Sequence, residues 1–134
     1  MKEFVTDTHA LLWHIFQSER LSPKAAKIFN QADNNEVRIF IPNIALVELV
    51  YLVEKARIPE KSIDNLIKLL EKNPINYQLV QIELSTIRAM QSISRQLIPD
   101  MPDRIIAATA LELGLPLITK DQKITEVNVV EVIW

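Results

Sequence analysis

Hydrophobic and polar positions along the chain predict short strands separated by helices. Apolar blocks predict strands at Glu3–Thr6, Val37–Ile41, Tyr77–Ile82, Leu115–Thr119 and Val127–Ile133. Between these blocks, apolar residues recur at spacings of three and four, as on one face of a helix. Strands that alternate with helices are typical of a parallel sheet covered on both faces. The pattern therefore predicts an α/β fold of three layers, in which helices flank a central parallel sheet of about five strands.

Capping residues, prolines and a glycine mark the ends of the helices. We predict helices at about Thr8–Phe16, Pro23–Ala32, Ile44–Lys55, Pro59–Lys72, Glu83–Leu97 and Asp103–Leu113. Ser22 and Asn43 are suitable N-cap residues, and Gly114 can take the left-handed conformation that ends a helix. Ligands of open parallel sheets bind beyond the carboxyl ends of the strands. Candidate functional residues are therefore expected at that edge.

The composition is that of a globular domain, and it limits the kinds of site. The 134 residues contain no repeat or linker, which predicts a single domain spanning 1–134. The absence of cysteine excludes disulfides and thiolate metal sites. A single glycine, Gly114, excludes glycine-rich phosphate loops. With no secretory signal, and with Glu48 interrupting the longest apolar run, we expect a cytoplasmic protein without a membrane partner.

Two acids closely follow predicted strands. Asp7 comes after the first strand, and Asp121 comes after the strand Leu115–Thr119. If these two strands are neighbours in the sheet, both carboxylates face one crevice at its carboxyl edge.

Two further acids lie in helices. Glu48 is in the segment Ile44–Val53, which is apolar on every side, so we expect this helix to be largely buried. A carboxylate there must be paired, bind a metal or change its pKa. Pairing with a buried arginine, such as Arg88, Arg95 or Arg104, is one alternative. Asp103 lies in the first turn of its helix, where an anion is favoured.

Each acid taken alone also has an ordinary structural explanation. Asp103, or Asp100 before it, can stabilise a helix start, and Asp7 or Asp121 can be a solvated loop residue. The two histidines, His9 and His14, lie among apolar residues of one short helix, so we predict structural roles for them. The convergence of four acids on one site is the more informative hypothesis. The formal net charge of −2 does not decide it, since setting these acids aside leaves a weakly basic remainder.

Around these acids the sequence resembles the PIN domain, and within that family the VapC-type toxins of prokaryotic toxin–antitoxin pairs. The similar segments are Phe4–Trp13, Val47–Leu49, Asp100–Ala110 and Leu115–Asp121. They occur in the order of the family and extend over most of the chain. The segments around Asp7 and Asp103 are the most specific.

The resemblance implies a PIN-like fold and an endoribonuclease activity that depends on Mg²⁺ or Mn²⁺. It implies that Asp7, Glu48, Asp103 and Asp121 occupy the acidic positions of the family, and that Thr119 matches its hydroxyl residue. It also implies an RNA substrate, a cognate antitoxin and a homodimer. The chain departs from the family pattern at Met101-Pro102, where an aromatic residue is usual, and at Asn43, where a small hydroxyl residue is common.

Hard cations such as Mg²⁺ prefer carboxylate oxygens, whereas zinc prefers cysteine and histidine. We therefore expect Asp7 and Asp103 to be the principal metal ligands, with Asp121 binding directly or through water. Glu48 would hold a second metal or orient the attacking water. Arg104 and Lys120 adjoin two of the acids. They would contact RNA phosphate or act as counter-charges, and the alternative left open by the sequence is that they are ordinary solvated or paired bases.

Two other functions remain open from the sequence. One is a non-catalytic PIN-fold interaction module, which the presence of all four acids disfavours. The other is a receiver-like phosphoacceptor domain, which also places acids after strands and binds Mg²⁺. The positions of Glu48 and Asp103 do not belong to the receiver design.

Overall fold

A computed structural model describes residues 1–134 and contains five strands and seven helices. The strands are β1 (Lys2–Thr6), β2 (Val37–Pro42), β3 (Tyr77–Val80), β4 (Leu117–Ile118) and β5 (Val132–Ile133). The helices are α1 (Thr8–Ile15), α2 (Pro23–Asp33), α3 (Ile44–Glu54), α4 (Ser62–Lys72), α5 (Leu84–Gln91), α6 (Met101–Leu113) and α7 (Gln122–Val127). The predicted α/β class is confirmed.

The five strands form one parallel sheet in the order β3-β2-β1-β4-β5. β1 and β4 are therefore neighbours, with Val5 opposite Leu117 and Thr6 opposite Ile118. This register places the residues that follow the two strands side by side at the carboxyl edge of the sheet. The chain reverses its winding direction at β1, which is where ligands bind in open α/β sheets.

Alternate strand residues face two separate cores, as the two-residue period of a strand requires. Phe4 and Ile118 pack with α1, α2, α3 and α4 in one core. Val5 and Leu117 pack with α6 and α7 in the other, which also contains Ile44 at the start of α3. The sheet is thus the middle of three layers, as predicted.

The last part of the predicted helix Glu83–Leu97 is not helical. The helix α5 ends at Gln91, where the hydroxyl of Ser92 donates to the carbonyl of Ala89 at 2.6 Å. Ile93 and Ile98 are both buried in the second core. A continuous helix would separate two residues five apart by about 140°. The turns after Gln91 allow both side chains to reach the same core.

The chain after Asp121 also differs from the prediction. The short helix α7 was not predicted, and the predicted strand Val127–Ile133 is reduced to Val132–Ile133. Asn128 ends α7 in the left-handed conformation, with φ of 56°. This residue turns the chain before it can extend along β4.

No helix of the fold combines the length and the apolar character needed to cross a bilayer.

Candidate active site

Two of the predicted acids meet where β1 and β4 end. The amide of Asp7 donates to the carbonyl of Ile118 at 3.1 Å, which continues the pairing of the strands. Buried Thr119 then joins the acids, because its hydroxyl donates to Asp7 Oδ2 at 2.5 Å and accepts from the amide of Asp121 at 3.0 Å. Thr119 thereby fixes the position of Asp7 relative to Asp121.

Three aspartates of this edge are also helix N-caps. Asp7 accepts from the amide of Ala10 at the start of α1, Asp100 from that of Asp103 in α6, and Asp121 from that of Ile124 in α7. The amino ends of these helices point toward the carboxyl edge of the sheet, and their partial positive charge favours carboxylates there. A capping role and a place in the cluster are therefore compatible.

Glu48 faces the same edge from α3. Its Oε1 accepts from the hydroxyl of Thr8 at 2.5 Å, and no arginine pairs with it. The prediction of a largely buried helix was wrong: Val47 is 49% exposed and Tyr51 is 59% exposed. These two apolar side chains lie on a side of α3 that no neighbouring element covers. A sequence that is apolar all round does not reveal which side stays open.

The four predicted acids line one open cavity of about 370 Å³. Its lining residues are Asp7, His9, Trp13, Glu48, Asp100, Asp103, Lys120 and Asp121. Five carboxylates and a single lysine give the cavity strongly negative character. Such a cavity attracts cations and repels a polyanion unless a cation neutralises it.

Burial and repulsion from neighbouring carboxylates raise the pKa values of three of these acids. Burial has the largest effect on Asp103, and the nearby charges of Asp100, Asp121, Glu48 and Asp7 add to it, so its pKa rises to about 7. Burial also raises the pKa of Asp7, although the hydrogen bonds from Thr119 and Ala10 oppose this. The pKa of Glu48 is raised by burial and is held down in part by the bond from Thr8. Asp103 is thus the acid most affected by the others.

The donor set fits a hard divalent cation in its chemistry. It consists of carboxylate oxygens, which Mg²⁺ and Mn²⁺ prefer, and it contains no sulfur. As the side chains stand, no three His, Asp or Glu residues are close enough to form a ready-made ion site. The carboxylates of Asp7, Glu48 and Asp121 are directed toward hydroxyls and backbone amides. Each of these carboxylates still has oxygen lone pairs with which to bind a ligand.

Three lining residues were not predicted as site residues. Asp100 was considered only as a helix cap, but among the neighbouring charges it contributes most to the raised pKa of Asp103. His9 was predicted to be structural, yet it is exposed and lines the cavity together with Trp13. A usable signal was present for His9, since it lies only two residues after Asp7. His14, by contrast, does not line the cavity: its ring stacks on Phe29, with centroids 4.6 Å apart, and its Nε2 lies 3.0 Å from Oδ2 of Asp33.

Arg104 does not line the cavity. Its Nε donates to the carbonyl of Ile93 at 3.0 Å, and one of its terminal nitrogens donates to that of Met90 at 3.0 Å. The guanidinium thus fastens the turn after α5 to the start of α6. This geometry supports a structural role for Arg104 rather than the predicted contact with phosphate.

We expect Arg104→Ala to lower the free energy of unfolding by about 2 kcal/mol, because two charge-assisted hydrogen bonds are lost. Arg88→Ala removes an exposed arginine of α5 and serves as the control. Chemical denaturation of both variants measures the difference. Equal midpoints for the two variants would contradict the structural role of Arg104.

The chain is similar to known proteins both in sequence and in fold. Residues 4–130 match the PIN domain. The chain is 28% identical to Ribonuclease VapC22 of Mycobacterium tuberculosis over 124 residues, which are 92% of this chain and 91% of that protein. Its fold is similar to VapBC of Salmonella typhimurium bound to DNA, with a TM-score of 0.73 and 18% identity over 99% of this chain and 98% of that one. It is also similar to a toxin–antitoxin complex from Klebsiella pneumoniae, with a TM-score of 0.65 and 19% identity over 98% and 96% of the two chains.

The match to the family begins at β1 and ends just before β5, so it includes every acid of the cavity. The chain belongs to the PIN domain family.

Proposed function

We propose that the protein is a metal-dependent endoribonuclease of the VapC type, the toxin of a toxin–antitoxin pair. The observation that carries the proposal is the cavity at the carboxyl edge of the sheet, where Asp7, Glu48, Asp103 and Asp121 meet with Asp100. A ribonuclease is among the proteins to which the chain is similar in sequence. Hydrolysis of a phosphodiester at a site of carboxylates is the chemistry that this combination supports best.

In this mechanism, Asp7, Asp103 and Asp121 would hold Mg²⁺ or Mn²⁺. The cation, when bound, supplies positive charge that activates water and neutralises charge on the phosphate in the transition state. Thr119 fixes the carboxylate of Asp7 through its hydroxyl. Glu48, which is held by Thr8, orients the attacking water. The buried β1–β4 junction keeps these groups in place from one reaction to the next.

We also propose a cognate antitoxin as partner, and a cytoplasmic site of action where RNA is the substrate. Support for the partner comes from the toxin–antitoxin complex of Klebsiella pneumoniae, whose fold is similar. The negative cavity suits an inserted arginine or lysine from such a partner. A homodimer is proposed as well, because a second copy would cover exposed apolar side chains such as Val47 and Tyr51 of α3.

The test is cleavage of a single-stranded RNA by the purified protein with Mg²⁺ or Mn²⁺, with EDTA, and with the cation restored after EDTA. We expect cleavage with either cation, none in EDTA and full recovery on restoration. Cleavage that persists at the same rate in EDTA would overturn the metal-dependent mechanism. Absence of cleavage in every condition, from protein whose fold is verified by circular dichroism, would overturn the nuclease proposal.

A further inference from the structure

The acid cavity has one side that is neither acidic nor part of the metal chemistry. It consists of His9, Trp13 and Lys120, which we call the aromatic rim. The rings of His9 and Trp13 lie on one face of α1, with centroids 5.8 Å apart and planes inclined by 51°. Nζ of Lys120 lies 6.0 Å from the centre of the Trp13 ring. Lys120 directly precedes Asp121, so its charge lies beside the carboxylates.

The rim is accessible on one side and firmly supported on the other. His9 and Lys120 are exposed, whereas Trp13 is partly buried against the first core. Trp134 packs edge-on against Trp13, with ring centroids 5.8 Å apart. The indole is therefore held in a fixed orientation while part of it borders the open cavity. Core packing explains the supported side, but it does not explain the exposed imidazole and lysine beside the acids.

The chemistry of the rim matches one nucleotide. A flat, rigid indole stacks on a nucleobase, and a neighbouring imidazole extends the stacking surface. A lysine ammonium contacts phosphate as a point charge. A base within a duplex has both faces covered by its neighbours, so only an unpaired base can stack on a side chain in this way.

We propose that His9, Trp13 and Lys120 form a subsite for one unpaired nucleotide of single-stranded RNA, next to the phosphodiester that is cut. Trp13 stacks on the base, His9 borders it, and Lys120 contacts a flanking phosphate. This inference rests on the proposed nuclease function. It makes the rim residues positioning residues, which act on the binding of RNA more than on the chemical step.

The first experiment measures KM and kcat for a single-stranded RNA in rim variants. We expect Trp13→Leu to raise KM by tenfold or more with a small change in kcat, since one base–aromatic stack is lost. Trp13→Phe keeps an aromatic face and should restore most of the affinity. Phe16→Leu, which removes another partly buried aromatic residue of the same core but outside the cavity, is the matched control. An unchanged KM in Trp13→Leu overturns the proposal.

The role of Lys120 is tested through the dependence of RNA affinity on salt concentration. Affinity is measured by fluorescence anisotropy in an Asp103→Asn background, where the RNA stays intact. Lys120→Gln should reduce the slope of log K against log salt concentration by about 0.7, the value for one phosphate of a single strand. Lys123→Gln, an exposed lysine of α7 outside the cavity, should leave the slope unchanged. Equal slopes in the two variants overturn the phosphate contact.

A third measurement leaves Trp13 intact, in case its replacement disturbs folding. The chain has two tryptophans, so Trp134→Phe makes Trp13 the sole source of tryptophan fluorescence. In the same Asp103→Asn background, we expect the single-stranded RNA to quench this fluorescence and a duplex of the same sequence to leave it unchanged. Absence of quenching at RNA concentrations that saturate the anisotropy signal overturns the proposal. The proposal is also overturned if Trp13→Leu binds RNA as tightly as the protein with Trp13 intact and the rim binds only the antitoxin.

These readouts separate the subsite from the function on which it rests. If the subsite fails alone, metal-dependent cleavage persists and KM is insensitive to Trp13. If the nuclease proposal fails, the unmodified protein cleaves no RNA with any cation, and both proposals are overturned together.

Discussion

Asp103→Asn is expected to reduce RNA cleavage by at least 100-fold while the protein remains folded. Asp103 lines the cavity together with the other acids, and the charges of four of them add to the rise of its pKa. Its backbone amide donates a hydrogen bond to the side chain of Asp100, but its own side chain makes no hydrogen bond to the rest of the fold. Loss of a residue that merely orients a metal ligand costs about 10- to 100-fold in activity or affinity. Loss of the ligand itself should cost more.

The comparison with Asp7→Asn distinguishes catalysis from folding. Asp7 is also expected to be essential, but its carboxyl group caps α1 and accepts from Thr119. Asparagine keeps an Oδ1 that can cap α1, but its amide nitrogen stands where Oδ2 accepts from Thr119, so stability should also fall by about 1 kcal/mol for that lost hydrogen bond. Asp64→Asn, an exposed aspartate of α4 outside the cavity, is the control for both variants. If Asp103→Asn cleaves RNA as fast as Asp64→Asn does, Asp103 has no part in the mechanism.

Added Mn²⁺ is expected to raise the melting temperature by about 10 °C at a concentration 100 times its Kd. A ligand that binds only the folded state at this ratio stabilises it by about 2.7 kcal/mol. For a domain of this size, each kcal/mol corresponds to about 3–5 °C. The physical source is the relief of repulsion among Asp7, Asp103 and Asp121, which a shared cation neutralises.

The same variants control the thermal measurement. Asp103→Asn removes one of the repelling charges, so it should melt at a higher temperature than the unmodified protein in EDTA. It should also respond weakly to Mn²⁺, whereas Asp64→Asn should respond fully. A melting temperature that stays constant up to millimolar Mn²⁺ would count against a clustered site.

The sequence was most informative where strong local rules acted on the backbone. The β1 and β4 strands and the acids after them follow from apolar blocks that end at Asp7 and Asp121. Gly114 takes the predicted left-handed conformation after α6, with φ of 66°. Ser22 caps α2 as expected, since its hydroxyl accepts from the amide of Ala25. In these two cases the chemistry of one residue decides the local structure: glycine takes a positive φ without steric cost, and a serine hydroxyl accepts from a free amide at a helix start.

The sequence was less informative where tertiary packing decides between alternatives. Asn43 precedes α3, but its side chain makes no capping bond. The end of α5 depends on Ile93 and Ile98 sharing a core, which no local pattern reveals. Trp13 illustrates the same limit at the site. Its neighbours in sequence are those of a core residue, and only the folded chain brings it to the cavity that contains Asp103.

Whether these carboxylates share a divalent cation is tested most directly by locating manganese, through anomalous scattering, in crystals of the unmodified protein soaked in Mn²⁺. We expect an anomalous peak in the cavity within bonding distance of Asp7 and Asp103. We expect no such peak in crystals of Asp103→Asn. An empty cavity in well-soaked crystals, or a peak held by other residues alone, would contradict the claim that these carboxylates share a divalent cation.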